Sequence, residues 1–156
     1  MADINAEQGE KAAGEIPGAS FHVLDVTSEQ AWIEFVRKVK AEHGRIDVLL
    51  NSAGVVRLAS IEDTTEEIWR LVNGVGTDGT FYGCKHVLAV MKEAGSGSII
   101  NMCSIASVQG SPGIFAYAAS KSAIRGMTKS IACLSVENWP AIRLALERFP
   151  WWPSSL

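Results

Sequence analysis

The sequence predicts an α/β fold built on a parallel sheet. Short aliphatic, β-branched runs alternate with stretches of helical periodicity along most of the chain, the rhythm of successive βα units. Helix-start signatures recur between the runs, at Thr27-Ser28-Glu29-Gln30 and at Thr64 with Glu67, where a hydroxyl and a carboxylate or amide three residues on satisfy each other's backbone donors. No internal repeat or low-complexity tract breaks the alternation.

Each element has its own signal. Phe21 to Leu24 reads as a short strand running into Asp25-Val26. The first capping box then opens a helix whose apolar face is Trp32, Phe35, Val36 and Val39 and which ends near Gly44. Ile46-Asp47-Val48-Leu49-Leu50 reads as a strand delivering Asn51-Ser52-Ala53-Gly54. Thr64 and Glu67 open the next helix, with Ile68, Trp69 and Leu71; Trp32 and Trp69 are both expected in the core. LVNGVGTDGTFYG follows, with Gly74, Gly76, Gly79 and Gly83, each costing up to ~1 kcal/mol against alanine inside a helix. Two readings fit these glycines: close approach of the helix to a neighbour, or a helix broken near Thr77-Asp78. GSGSIINMCS is Gly/Ser punctuation followed by a buried strand ending at Ser104. Beyond Ser111-Pro112-Gly113, IFAYAASKSAIRGMTKSIA has helical spacing.

The chemistry lies in that last pair of elements. Tyr117 follows Ser104 by thirteen residues and Lys121 follows Tyr117 by four, so phenol and ammonium share a helix face while the strand end holds the hydroxyl toward them. An ammonium beside a phenol favours the phenolate and makes it a usable acid/base near neutral pH. A Tyr-x-x-x-Lys pair by itself arises by chance in about one of four chains this long. Its company is what makes it informative: Asp25-Val26, then Asn51-x-Ala53-Gly54, then Ser104, Tyr117 and Lys121, in that order.

With these motifs the chain resembles the classical short-chain dehydrogenase/reductase family, whose Asn-Asn-Ala-Gly motif appears here as NSAG. The resemblance implies a Rossmann-like, doubly wound parallel sheet that binds a nicotinamide dinucleotide at the carboxyl ends of its strands. It implies Tyr117 as general acid/base, Lys121 as the group that assists Tyr117 and holds the nicotinamide ribose, and Ser104 as the hydroxyl that orients the substrate oxygen; Ser104 and Tyr117 are then also the substrate contacts. Asp25 and Val26 would flank the adenine, and Asn51, Ala53 and Gly54 would line the dinucleotide. Asp3 falls where the family has the last residue of its second strand; a carboxylate there binds the adenosine ribose and favours NAD over NADP. Asp3 reads equally well as a solvated charge near a terminus.

Three departures accompany the resemblance. The chain starts at Met1-Ala2-Asp3, so the family's first strand and its Gly-rich phosphate loop are expected to be missing. That loss would separate the strand ending at Asp25 from the strand ending at Leu50. Gly76 occupies the position, twenty-five residues after Asn51, where the family places a fourth catalytic asparagine; Asn73 is one turn earlier. After about residue 132, SVENWPAIRLALERFPWWPSSL departs from the family pattern and reads as divergent or frameshifted, since Glu137-Asn138-Trp139-Pro140 in a shifted frame permits the family's Glu-Leu-Ala. The expected organisation is a partial dinucleotide-binding domain over 1–134 and an atypical tail over 135–156, with the C-terminal strands absent and the Pro/Trp/Ser end disordered.

Composition narrows the setting. A net charge of −3 gives no basic footprint for nucleic acid or an anionic membrane. No apolar run approaches a membrane span, and the N-terminus lacks a signal peptide's basic and apolar regions. Cys84, Cys103 and Cys133 are odd in number and unclustered, which suits reduced thiols in the cytoplasm. Cys84 and His86 lack the partners a metal site needs, so no metal is expected. The family's usual interface implies homo-oligomerisation through the helices near 66–94 and 114–134. Two functions are therefore carried forward: an NAD-dependent oxidoreductase of small or steroid-like alcohols and ketones, and a catalytically silent fragment able at most to associate.

Overall fold

The structure, a computed structural model, describes residues 1–138 and 142–148. Its elements are β1 (Ala2–Asp3), α1 (Ala6–Gly14), β2 (His22–Val23), α2 (Glu29–His43), β3 (Val48–Asn51), α3 (Glu66–Asn73), a π-helical turn (Gly74–Asp78), α4 (Gly79–Ala94), β4 (Gly97–Cys103), a 3-10 turn (Ile105–Ser107), α5 (Phe115–Asn138) and β5 (Ile142–Arg148). All pairing is parallel, in two separate sheets ordered β1-β2 and β3-β4-β5. The sheet is thus incomplete as expected, with β2 and β3 in different sheets.

Both helix starts fall one residue later than the sequence suggests. Ser28 Oγ, not the Thr27 hydroxyl, accepts from Ala31 N at 3.2 Å, because Thr27 Oγ1 is taken by the Asp25 carboxylate at 2.7 Å. Thr65 caps α3 through Ile68 N at 3.2 Å, while Thr64 Oγ1 donates to the Ser60 carbonyl. In each case a nearer acceptor outcompetes the helix for the first hydroxyl. At the other end of α2, Gly44 has φ 78°, a left-handed C-cap that glycine adopts without cost.

The core lies between α2 and α4 on one side and β3 and β4 on the other. It is centred on Leu24, Trp32, Val36, Leu49, Val87, Met91 and Ile99, with Met91 and Ile99 fully buried. Trp32 sits there as expected and donates its indole N–H to Val26 O at 3.2 Å. Trp69 does not: it is 40% exposed and meets Phe115 of α5 with ring centroids 5.9 Å apart. It belongs to the outer edge of the α3–α5 contact, where no described layer covers it.

Ile142 to Arg148, in the segment expected to lack a packed strand, pairs with all of β4 from Gly97↔Ile142 to Cys103↔Arg148. The alternation of IRLALER explains it: aliphatic residues at 142, 144 and 146 have the period of two that a sheet demands. Residues 139–141 and 149–156, including the Pro/Trp/Ser end expected to be disordered, lie outside the described residues.

One buried polar group gives this fold a pH dependence. The His22 ring on β2 is 10% exposed and packs edge-on against Phe35, and among the described residues neither of its nitrogens has a hydrogen-bond partner. The nearest carboxylate oxygen, Glu42 Oε2, is 3.6 Å from Nε2, too long for a hydrogen bond. Burial, assisted by the positive charge of Lys38 and opposed by Glu42, lowers its pKa below the ordinary histidine value of 6.5. The neutral ring is therefore the form the fold accepts, and the unfolded chain binds the proton more readily. Stability from this residue is complete above about pH 6.5 and is lost as pH falls through that value. Urea unfolding at pH 7 and pH 5 should show a larger drop for the native chain than for His22→Asn; equal drops would refute the assignment.

Candidate active site

The site is built where β3 and β4 end and α5 begins. β4 stops at Cys103, and Ser104, still extended at φ −150° and ψ 158°, caps the 3-10 turn by accepting from Ala106 N at 3.2 Å. That turn and the 108–114 loop carry the chain around to α5, where Tyr117 and Lys121 lie one turn apart. Ser104, Tyr117 and Lys121 line one cleft of about 630 Å³ together with Ser52 and Gly54 of the NSAG segment. The spacing of the three residues along the sequence thus becomes convergence in space.

Lys121 is 5% exposed. Its Nζ donates to the Met102 carbonyl at 2.7 Å and stands 5.6 Å from the centroid of the Tyr117 ring. Burial lowers its pKa from the ordinary lysine value, with the Cys103 thiol partly opposing. A buried ammonium with one backbone partner retains two N–H groups for a ligand. Gly54 leaves the room for one: a Cβ there would stand 3.6 Å from Nζ.

The remaining expected residues surround this centre without all reaching the cleft. Asn51 turns inward, its Nδ2 donating to Asn101 Oδ1 at 2.8 Å beneath the NSAG turn, while Ala53 is exposed beside Gly54. Asp25 is exposed and its carboxylate accepts from Thr27 N and Oγ1; Val26 packs against Gly79, where a Cβ would approach to 3.0 Å. Asp3, also exposed, accepts from Asn5 N at 2.9 Å. Cys84 and His86 look to different neighbours, Cys84 to Asn51 and Asn101 and His86 to Glu29.

The family model for the short chain dehydrogenases matches residues 1–139. The chain belongs to the short-chain dehydrogenase family. It is 38% identical over 136 residues to cyclopentanol dehydrogenase of Comamonas testosteroni, covering 85% of this chain and 54% of that one. It is 40% identical over 131 residues to the 3-alpha-(or 20-beta)-hydroxysteroid dehydrogenase of Mycobacterium tuberculosis (strain ATCC 25618 / H37Rv), covering 83% and 50%. Its fold matches a short-chain dehydrogenase from Streptomyces avermitilis with a TM-score of 0.89 at 26% identity, covering 99% of this chain and 57% of that one. This short-chain dehydrogenase chain therefore spans about half the length of the curated relatives it matches.

Sequence reasoning missed two parts of the site. The first is Asn101, fully buried in β4, which bonds Asn51 on β3 and, through Nδ2, Thr128 Oγ1 on α5 at 2.8 Å. Its signal was a polar residue inside the apolar run Ile99-Ile100-Asn101-Met102. The second is the apolar wall of the cleft, which comes from Val56, Leu58, Pro112 and Ile114 in stretches that carry no motif.

Gly76, at the family's asparagine position, has a structural role of its own in this chain. It lies in the π-helical turn between α3 and α4, where the backbone stays right-handed helical at both junctions, so the helix is not broken near Thr77-Asp78, and the close-approach reading is the one its glycines bear out. A Cβ on Gly76 would come 2.2 Å from Ser120 Oγ and 3.5 Å from Ser120 Cβ. That hydroxyl is buried and lies within hydrogen-bond distance of Thr77 Oγ1, 3.2 Å away. Asn73, one turn earlier, bonds Trp69 O and Thr77 Oγ1 within its own helix. Gly76→Ala should cost about 1–3 kcal/mol by overpacking, and adding Ser120→Ala should recover most of that loss. Urea midpoints that leave the double variant no more stable than Gly76→Ala would refute the contact.

Proposed function

We propose that this chain carries the catalytic half of an oxidoreductase that moves hydride between NAD(H) and an alcohol or ketone, with Tyr117 as general acid/base. The observation that carries the reading is that Ser104, Tyr117 and Lys121 share one cleft with Ser52 and Gly54. In the reducing direction Ser104 Oγ donates to the substrate carbonyl oxygen and fixes its orientation. Tyr117 gives its phenolic proton to that oxygen as negative charge develops there. Lys121, anchored on Met102 O, compensates the charge left on the phenol and offers its remaining N–H groups to the ribose hydroxyls. The nicotinamide, when bound, supplies or accepts the hydride. The room beside Gly54 suits the ribose end of the cofactor, and Asp3 and Asp25 stand exposed at strand ends, as an NAD adenosine site requires.

Residues 1–134 are read as the partial dinucleotide-binding domain and 135–156 as its atypical extension. Exposed Trp69, Leu71, Phe81 and Phe115 on α3, α4 and α5 support homo-oligomerisation through that face. Free thiols at Cys84, Cys103 and Cys133 suit the cytoplasm. Among the described residues no helix is long and apolar enough to cross a membrane.

A second reading, a stretch silent on its own and able at most to associate, is favoured by the separation of β1-β2 from β3-β4-β5. Among the described residues no glycine-rich loop joins a strand to a helix to hold the pyrophosphate. Titration of NADH into the folded chain, followed by energy transfer from tryptophan, separates the two. Saturable binding is expected for the dehydrogenase; absence of binding favours the silent stretch.

A further inference from the structure

We infer that Ser107 is a positioning residue: its hydroxyl holds Ser104 from behind the cleft and, through the Cys103 thiol, ties the turn that carries Ser104 to the main chain of Lys121. The inference rests on the dehydrogenase reading and deepens it.

Ser104, Ile105 and Ala106 all line the cleft, and Ser107, the last residue of the 3-10 turn, does not. Its side chain turns back to the strand end instead. Oγ donates to the Ser104 carbonyl at 2.8 Å, and the Ser107 N–H reaches the same oxygen at 3.1 Å. Both lone pairs of that carbonyl are thus taken by one residue. The carbonyl belongs to the planar peptide that follows Ser104, so holding it fixes ψ of Ser104 at 158°. The same peptide leads to Ala106, whose N–H is the donor to Ser104 Oγ at 3.2 Å. Where the Ser104 hydroxyl points therefore depends on what holds the carbonyl behind it.

A hydroxyl that has given its proton to Ser104 O keeps its own lone pairs, and the Cys103 thiol stands 3.2 Å from it. That thiol is buried and also lies 3.4 Å from Lys121 O, so the contacts run from Ser104 through Ser107 and Cys103 to the backbone of α5. Lys121 makes the return connection, with Nζ on Met102 O at 2.7 Å. Met102, Cys103 and Ser104 are consecutive, and each is bonded either to Lys121 or to the residue that leads to it. Without the Ser107 hydroxyl the Ser104 carbonyl keeps a single backbone donor, and the link from the turn to Cys103 is lost.

The test compares Ser107→Ala, which removes the hydroxyl, with Ser107→Thr, which keeps it. In the 15N-labelled chain, amide exchange at Ala106 should be about two- to tenfold faster in Ser107→Ala, the factor that one neutral hydrogen bond supplies, while Val87 and Ile99 in the core keep their native rates. Ser107→Thr should restore the native rate at Ala106. In the reduction of 4-methylcyclohexanone by NADH, Ser107→Ala should lower kcat/KM by about the same factor with NADH affinity unchanged, and Ser107→Thr should recover it. Native exchange at Ala106 in Ser107→Ala, an equal rise at Val87 and Ile99, or a loss that threonine does not repair overturns the inference. Turnover by the native chain that Ser107→Ala leaves intact also overturns it, with the dehydrogenase reading standing. A folded native chain that neither binds NADH nor turns over defeats the dehydrogenase reading, and the exchange rates still decide whether Ser107 holds Ser104.

Discussion

On the dehydrogenase reading proposed above, replacing Tyr117 by phenylalanine is expected to lower kcat for ketone reduction by about 10²- to 10⁴-fold, the range for loss of a positioned general acid, and to leave NADH binding intact. The change deletes one oxygen from a half-buried ring. The Lys121 bond to Met102 O does not involve that oxygen, so the ammonium stays where it is. The substrate oxygen would still meet Ser104 but would have no proton to take from the protein. Water would be a poor substitute in a cleft walled by Val56, Leu58 and Ile114. Steady-state kinetics decide the matter: kcat should fall in the variant, with KM little changed. Turnover that persists in Tyr117→Phe would remove Tyr117 from the chemistry.

The contrast with Ser104→Ala is instructive because the two side chains do different work. Ser104 Oγ already accepts from Ala106 N, so its proton is the free valence that can orient a carbonyl. Its removal should cost an orienting hydrogen bond and also loosen the turn that presents it. Both kcat and KM should respond, whereas Tyr117→Phe should act on kcat.

The convergence of Ser104, Tyr117 and Lys121 on one cleft was legible in the sequence because its information is local. Four residues of helix fix Tyr117 against Lys121, and the end of a β-branched run fixes Ser104, so spacing alone encodes proximity. The α/β alternation was legible for the same reason. What could not be read depends on competition or on distant neighbours. Ser28 rather than Thr27 caps α2 because the Asp25 carboxylate captures the Thr27 hydroxyl, a choice between two acceptors within hydrogen-bond reach. Trp69 has the periodicity of a core residue, yet its face of α3 has no covering layer among the described residues. β5 was hidden by its prolines and tryptophans in flanking sequence, although its own seven residues alternate cleanly. Gly76 was visible as a departure from the family, but the reason a side chain is unwelcome there is Ser120, forty-four positions away.

Asn101→Ala is expected to be the most damaging single change to the fold outside the hydrophobic core. Asn101 sits opposite Asn51 in the β3–β4 register, and its amide is the junction of four elements. Its Oδ1 accepts from Asn51 Nδ2, its Nδ2 donates to Thr128 Oγ1 at 2.8 Å, Thr128 passes the chain on to Ile124 O at 2.8 Å, and the Cys84 thiol lies 3.6 Å from the Asn101 amide. Burial raises the Cys84 pKa, so the thiol stays neutral and can fill, without charge, the space beside the two amides. Alanine at 101 deletes the bonds of this 0%-exposed side chain to Asn51 and Thr128 and leaves the Asn51 amide only the Cys84 sulfur, 3.6 Å away. Two such bonds at ~0.5–1.5 kcal/mol each, with the cavity added, make the expected loss about 3 kcal/mol. That is a large share of the ~5–15 kcal/mol that holds an ordinary domain together. The damage should also reach function, because Asn51 sets the turn that leaves room at Gly54 beside Lys121. A double-mutant cycle with Thr128→Val isolates the connection: Thr128→Val should destabilise the native chain by about 1–2 kcal/mol and the Asn101→Ala chain much less. Additive losses in urea unfolding would mean that the two side chains act independently and that α5 is aligned with the NSAG turn by apolar packing alone.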